Sequence, residues 1–99
     1  MNRLQYLLNK LSEEASEIVQ ISQKTAQFGL NEVYDDGKNN LSNRERCHAE
    51  IDDLLGIISL LNDEFDFCYE PDREKIEQKK DKTNRYYKYS KELGMVSDE

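Results

Sequence analysis

The chain has no tryptophan, one proline, four glycines, two cysteines and one histidine among its 99 residues. Each shortage narrows the chemistry. With so few glycines there is no Gly-rich phosphate loop, so any phosphate would have to be held through a metal and side chains. His48 alone cannot make a zinc site, and Cys47 and Cys68 are too far apart in sequence to help it. A di-iron bundle is disfavoured on the same ground, since it needs Glu-x-x-His pairs. The cysteines form no CxxC pair, and no signal-peptide pattern follows Met1, so they read as reduced thiols of a cytoplasmic protein. Long apolar runs are also missing. The longest, 54–61, is broken by Gly56 and Ser59 and is far too short for a bilayer, so no membrane partner is expected. A basic surplus is lacking too: the net charge of −7 argues against a general nucleic-acid binder.

Charge is abundant but unevenly placed. Residues 1–70 hold 6 Lys+Arg against 14 Asp+Glu, whereas residues 72–92 hold 8 against 5. An acidic body followed by a basic segment suits a metal together with an anionic ligand; a solvated basic helix is the plainer alternative. With 36% apolar residues, a chain this short has no large private core, and oligomerisation is the natural remedy.

Periodicity gives three helices and no convincing strand, hence an all-α class and a single domain over residues 1–99. Leu4, Leu7, Leu8, Leu11, Ala15, Ile18 and Ser22 recur at helical intervals and predict a first helix over about 2–28, ended by Gly29. Asp35-Asp36-Gly37 and Asn39-Asn40 are turn-forming, which makes 29–41 a loop. They lack the ligand spacing of an EF-hand. Ser42 and Glu45 have the form of a capping box opening a second helix over about 42–66. Its stripe is Cys47, Ile51, Leu54, Leu55, Ile58, Leu61 and Phe65; Ile57 and Leu60 lie outside it, so this helix should be buried in more than one contact. Pro71 fits the first turn of a third helix, about 71–93, with Ile76, Thr83 and Tyr87 as a thin inward stripe and Gly94 as its end.

The acids on the first two helices form a pattern. Glu14 and Glu17 make an E-x-x-E pair and Glu50 and Asp53 an E-x-x-D pair, each on one helix face. At about 100° per residue, Glu14 projects roughly 60° and Glu17 roughly 120° from the centre of their apolar stripe, and the second pair takes the same offsets. One such pair would read as ordinary solvated charge. Two matched pairs at the borders of packing faces would repel unless a cation sat between them, and a hard divalent ion with oxygen ligands answers that need. His48 projects away from the acids.

These residues resemble a known family. Ser12-Glu13-Glu14-Ala15-Ser16-Glu17 resembles the EExxE element, and Glu50-Ile51-Asp52-Asp53 the ExxD element, of MazG-like all-α nucleoside triphosphate pyrophosphohydrolases. The segment 79–86 is similar to the basic, aromatic-containing helix that follows. Phe28-Gly29-Leu30 and the segment 89–94 resemble a short phage-associated branch, which would place the protein in a host cytoplasm. The resemblance implies a helical bundle of three main helices per chain, completed by a dimer or tetramer. It implies Mg²⁺, with Mn²⁺ as the alternative, on Glu14, Glu17, Glu50 and Asp53. It further implies cleavage of a (d)NTP to a (d)NMP and pyrophosphate. Glu14 or Glu17 would be the catalytic base, and Lys79, Lys82 and Tyr86 would meet substrate. The competing expectations are a non-catalytic helical module that binds nucleotide or protein, and a structural oligomer in which acids and basic helix only form ion pairs.

Overall fold

In the computed structural model, which describes residues 1–34 and 40–97, α1 spans Arg3–Phe28, α2 Asn43–Phe65 and α3 Arg73–Glu92. The described residues are all-helical apart from loops and one isolated bridge between Val33 and Ser42. The turn-forming stretch Asp35 to Asn39 lies outside the described residues. The chain divides into two compact units, Met1–Tyr69 and Glu70–Glu99.

The first unit is an antiparallel hairpin of α1 and α2. Each helix begins where its polar side chains satisfy the first free N–H groups: Asn2 and Gln5 form a reciprocal box on α1, and Ser42 and Glu45 form the expected one on α2. Gly29 closes α1 at φ 96°, a conformation that favours glycine, and its N–H donates to the Thr25 carbonyl at 2.8 Å. Asn43, almost fully buried, ties the loop to the start of α2. Its Nδ2 donates to the Gly29 carbonyl at 2.9 Å and to Glu32 Oε2 at 3.1 Å, and its own N–H donates to the Glu32 carbonyl at 3.0 Å.

The seam between the helices follows alternating steps of four and three. Leu7, Leu11, Glu14, Ile18, Ile21 and Thr25 are buried or half-buried on α1, and so are Asn43, Cys47, Glu50, Leu54, Ile57 and Leu61 on α2. That is coiled-coil spacing, which keeps one narrow line of each helix against its partner. The register is pinned at one end by a bidentate Arg3–Glu64 pair, both bonds 3.0 Å, and at the other by Thr25 and Cys47 at 3.4 Å. Leu7 and Leu61, at 1% and 0% exposure, are its most deeply buried apolar side chains.

This corrects the predicted stripes. Leu4, Leu8, Ala15 and Ser22 on α1, and Ile51, Leu55 and Phe65 on α2, are exposed, while Ile57 turns inward. Two helices alone cover only a seam of each other, so one side of a wide apolar sector stays uncovered. The buried line is rotated toward the acids, so Glu14 and Glu50 occupy seam positions rather than its border.

The second unit, α3, buries no side chain; Ile76, Thr83 and Tyr87, expected to face inward, are exposed. Pro71 lies before the helix, not in its first turn. Asp72 is the N-cap, its carboxylate accepting from the Lys75 N–H at 3.1 Å. Gly94, at φ 76°, completes a Schellman end: its N–H donates to the Lys91 carbonyl and that of Met95 to the Ser90 carbonyl, each at 2.9 Å. Among the described residues, no helix is long and apolar enough to cross a membrane.

Candidate metal centre

The antiparallel register brings Glu17 across from Glu50 and Glu14 across from Asp53, two turns of helix facing two turns. One carboxylate oxygen from each of the four lies within 4.8 Å of all the others, a set that can hold a metal ion. Glu14, Glu17 and Glu50 are half-buried and Asp53 is exposed, so the cluster opens to solvent on the Asp53 side.

Its electrostatics are dominated by four acids at close range. Burial, reinforced by Glu17 and Asp53, raises the Glu14 carboxyl above the ordinary carboxylate range. Glu50 is raised to about 7, first by a hydrogen bond to Glu17, then by burial and by repulsion from Glu17, Asp53 and Glu14. Lys10, whose charge reaches Glu14, is committed to Glu13 at 2.9 Å. Glu14 Oε2 and Glu50 Oε2 are shut off from solvent with no protein donor on them. Buried acceptors are rarely left in that state. An oxygen-only donor set of high negative charge is suited to a hard divalent cation, and the orphaned oxygens supply the places for it.

A pH dependence follows for protein kept in chelator. Because the folded Glu50 binds its proton more tightly than the unfolded side chain, whose value is 4.5, the native state holds an extra proton between pH 4.5 and about 7. Its charging penalty is fully present above that window and disappears as pH falls through it. The melting temperature should therefore rise on acidification from pH 8 toward 5. Below that, Glu45 and Glu64 reverse the trend, because Ser42 and Arg3 hold their carboxyls below the ordinary range in the fold. Calorimetry showing a flat or falling melting temperature from pH 8 to 5 would contradict the arrangement.

The other expected substrate residues belong to the second unit. Lys79, Lys82 and Tyr86 are exposed on α3; Lys82 Nζ lies 5.9 Å from the centre of the Tyr86 ring, in keeping with a shared face. His48 is exposed, as its projection implies. Sequence reasoning missed the surroundings of the cluster. A groove of about 470 Å³ runs from Glu17 and Glu50 past Gln20, Lys24, Leu41 and Arg46. Lys24 stands seven residues after Glu17, hence on the same side of α1, and Arg46 four before Glu50. That spacing was the available signal. No family model, curated protein or solved structure matches the chain, so the chemistry of this centre is read from its own geometry.

Proposed function

We propose that the protein is a Mg²⁺-dependent nucleoside triphosphate pyrophosphohydrolase of the MazG-like kind. The observation that carries this reading is the convergence of four carboxylates within 4.8 Å, two with buried oxygens that no protein group satisfies. When bound, Mg²⁺ would offset phosphate charge and polarise the bond to be broken. Glu14, Glu17, Glu50 and Asp53 would hold it. Glu14 or Glu17 accepts the proton of the attacking water. Water oxygen bonds to the α-phosphorus, the bridge to the β-phosphate breaks, and the products are a nucleoside monophosphate and pyrophosphate.

Assembly is part of the proposal. Leu4, Leu8, Ile51 and Leu55 remain open on one side of a hairpin whose fully buried apolar residues are Leu7, Ile21 and Leu61 among those described. A core that small supports association of at least two chains, as dimer or tetramer.

Pyrophosphate release measured across the common ribo- and deoxynucleoside triphosphates, with Mg²⁺ or Mn²⁺ and with excess chelator, tests the activity. Metal-dependent release of one pyrophosphate per monophosphate is expected. Nucleotide binding without turnover would leave a non-catalytic module, and release undiminished by chelator would remove the metal. On α3, Lys79→Ala and Lys82→Ala should each lower kcat/KM by roughly one to two orders of magnitude, the worth of a charge-assisted phosphate contact. Mg²⁺ affinity measured without nucleotide should hold. Parental kinetics in both variants would show that the basic helix only solvates the surface.

A further inference from the structure

The groove beside the carboxylates continues beyond Lys24. A second cavity of about 420 Å³ is lined by Lys24, Phe28, Glu32, Tyr34, Asn43 and Arg46. Lys24 and Arg46 border both spaces, so the two adjoin and together make a track along the hairpin from Glu17 and Glu50 to the end of α1. The chemistry changes along it, from carboxylates through cations to aromatic rings. Glu17 and Phe28 are eleven residues apart on α1, about 16 Å along its axis, comparable with an extended nucleoside triphosphate.

The groups are placed to act on such a ligand. Lys24 is exposed and has no ion pair among the described residues, so its ammonium is available to either space. Arg46 donates from Nη2 to the Tyr34 carbonyl at 3.0 Å, which ties the Tyr34 backbone to α2. Asn43 fixes the Gly29 and Glu32 backbone beneath the cavity. Phe28 and Tyr34, exposed at 57% and 64%, are large rings left open at a cavity whose floor is anchored. By helical projection the track lies on the side of the hairpin opposite Leu8 and Leu55, so assembly through that apolar side leaves it accessible.

We propose that this track is the substrate seat: Lys24 contacts the phosphates next to the metal-binding carboxylates, and Phe28 and Tyr34 stack the nucleobase at the far end. The inference rests on the proposed triphosphate chemistry and adds where the nucleotide lies. Stacking on aromatic faces tolerates every base, so a broad base preference is expected.

Titration calorimetry of the full chain in Mg²⁺ tests this with two probes, inorganic tripolyphosphate and an α,β-methylene nucleoside triphosphate that resists cleavage. Lys24→Ala should weaken both by roughly tenfold to a hundredfold, and Lys24→Arg should restore most of the loss. Phe28→Ala and Tyr34→Ala should weaken only the nucleotide analogue, by roughly fivefold or more, and leave tripolyphosphate unchanged. All three side chains are exposed, and unchanged melting curves will show that the fold is kept. If the parent binds the analogue and these variants bind it equally well, the seat is elsewhere and the hydrolase reading survives. If the parent binds neither probe in Mg²⁺, both readings are overturned.

Discussion

Glu50→Gln is expected to lower kcat/KM by at least about a hundredfold and to raise the melting temperature of the metal-free protein at pH 8. The loss follows from removing one charged ligand of four, when even outer-shell changes cost about 10- to 100-fold in metal affinity or activity. The gain follows from geometry: Glu50 sits in the seam, level with Glu17, Glu14 and Asp53, and its carboxyl is raised to about 7 by their company. A neutral amide of the same shape removes the repulsion. At pH 5, where the folded Glu50 carboxyl is already protonated, the stability difference should shrink to a small part of its value at pH 8. Added Mg²⁺ should raise the parent's melting temperature, by linkage, and that of the variant much less. A variant that hydrolyses nucleotide like the parent sinks the metal assignment. One destabilised at pH 8 shows instead that the carboxylates stabilise the seam. The opposite signs of the two effects separate a functional cluster from a structural one.

Leu55→Lys is expected to dissociate the assembly while leaving the hairpin folded. Leu55 is 49% exposed in the single chain, as Ile51 is 44%, and neither contributes to the α1–α2 seam. Burying one leucine is worth roughly 1.5–3 kcal/mol, and a two-fold interface contains the residue twice. With about half of each side chain left to bury, losing both copies corresponds to about 1.5–3 kcal/mol, a weakening on the order of 10- to 100-fold, before the cost of burying an ammonium is counted. Leu8→Lys, on the same side of the hairpin, should behave alike. Sedimentation velocity at micromolar concentration checks both, with helicity followed by circular dichroism. A monomeric parent, or a variant that sediments like it, removes the proposed interface.

How much was legible beforehand differs from element to element. The Ser42–Glu45 box was readable because a cap is a contract between residues three apart. The Gly94 end of α3 was readable because a left-handed φ there favours glycine. Pro71 misled, since a proline before a helix and one in its first turn look alike until the competing cap, Asp72, is seen holding the Lys75 N–H. Periodicity found both helices of the hairpin but misjudged which line of each is covered. Leu8 and Leu55 are as apolar as Leu7 and Leu61, and hydropathy alone favoured a stripe centred away from the acids.

By itself, then, the sequence determined the helical class, the Ser42–Glu45 cap, the Gly29 and Gly94 ends and the pairing of Glu14 with Glu17 and of Glu50 with Asp53, because all of these are contracts within one or two turns. Only the tertiary structure decided that the two acid pairs meet, since 32 residues separate Glu17 from Glu50 and no local rule fixes the register of α1 on α2. That register depends on the Arg3–Glu64 pair, the Thr25–Cys47 contact and the leucines between, and it draws Glu14 and Glu50 into the seam where hydropathy would not place them. It also brings Lys24 beside Arg46 and Phe28 beside Tyr34 around common cavities. A lysine, an arginine and two rings have no pattern along the chain that marks them as neighbours; their association arises from the close antiparallel packing of the helices and the loop that Asn43 ties down.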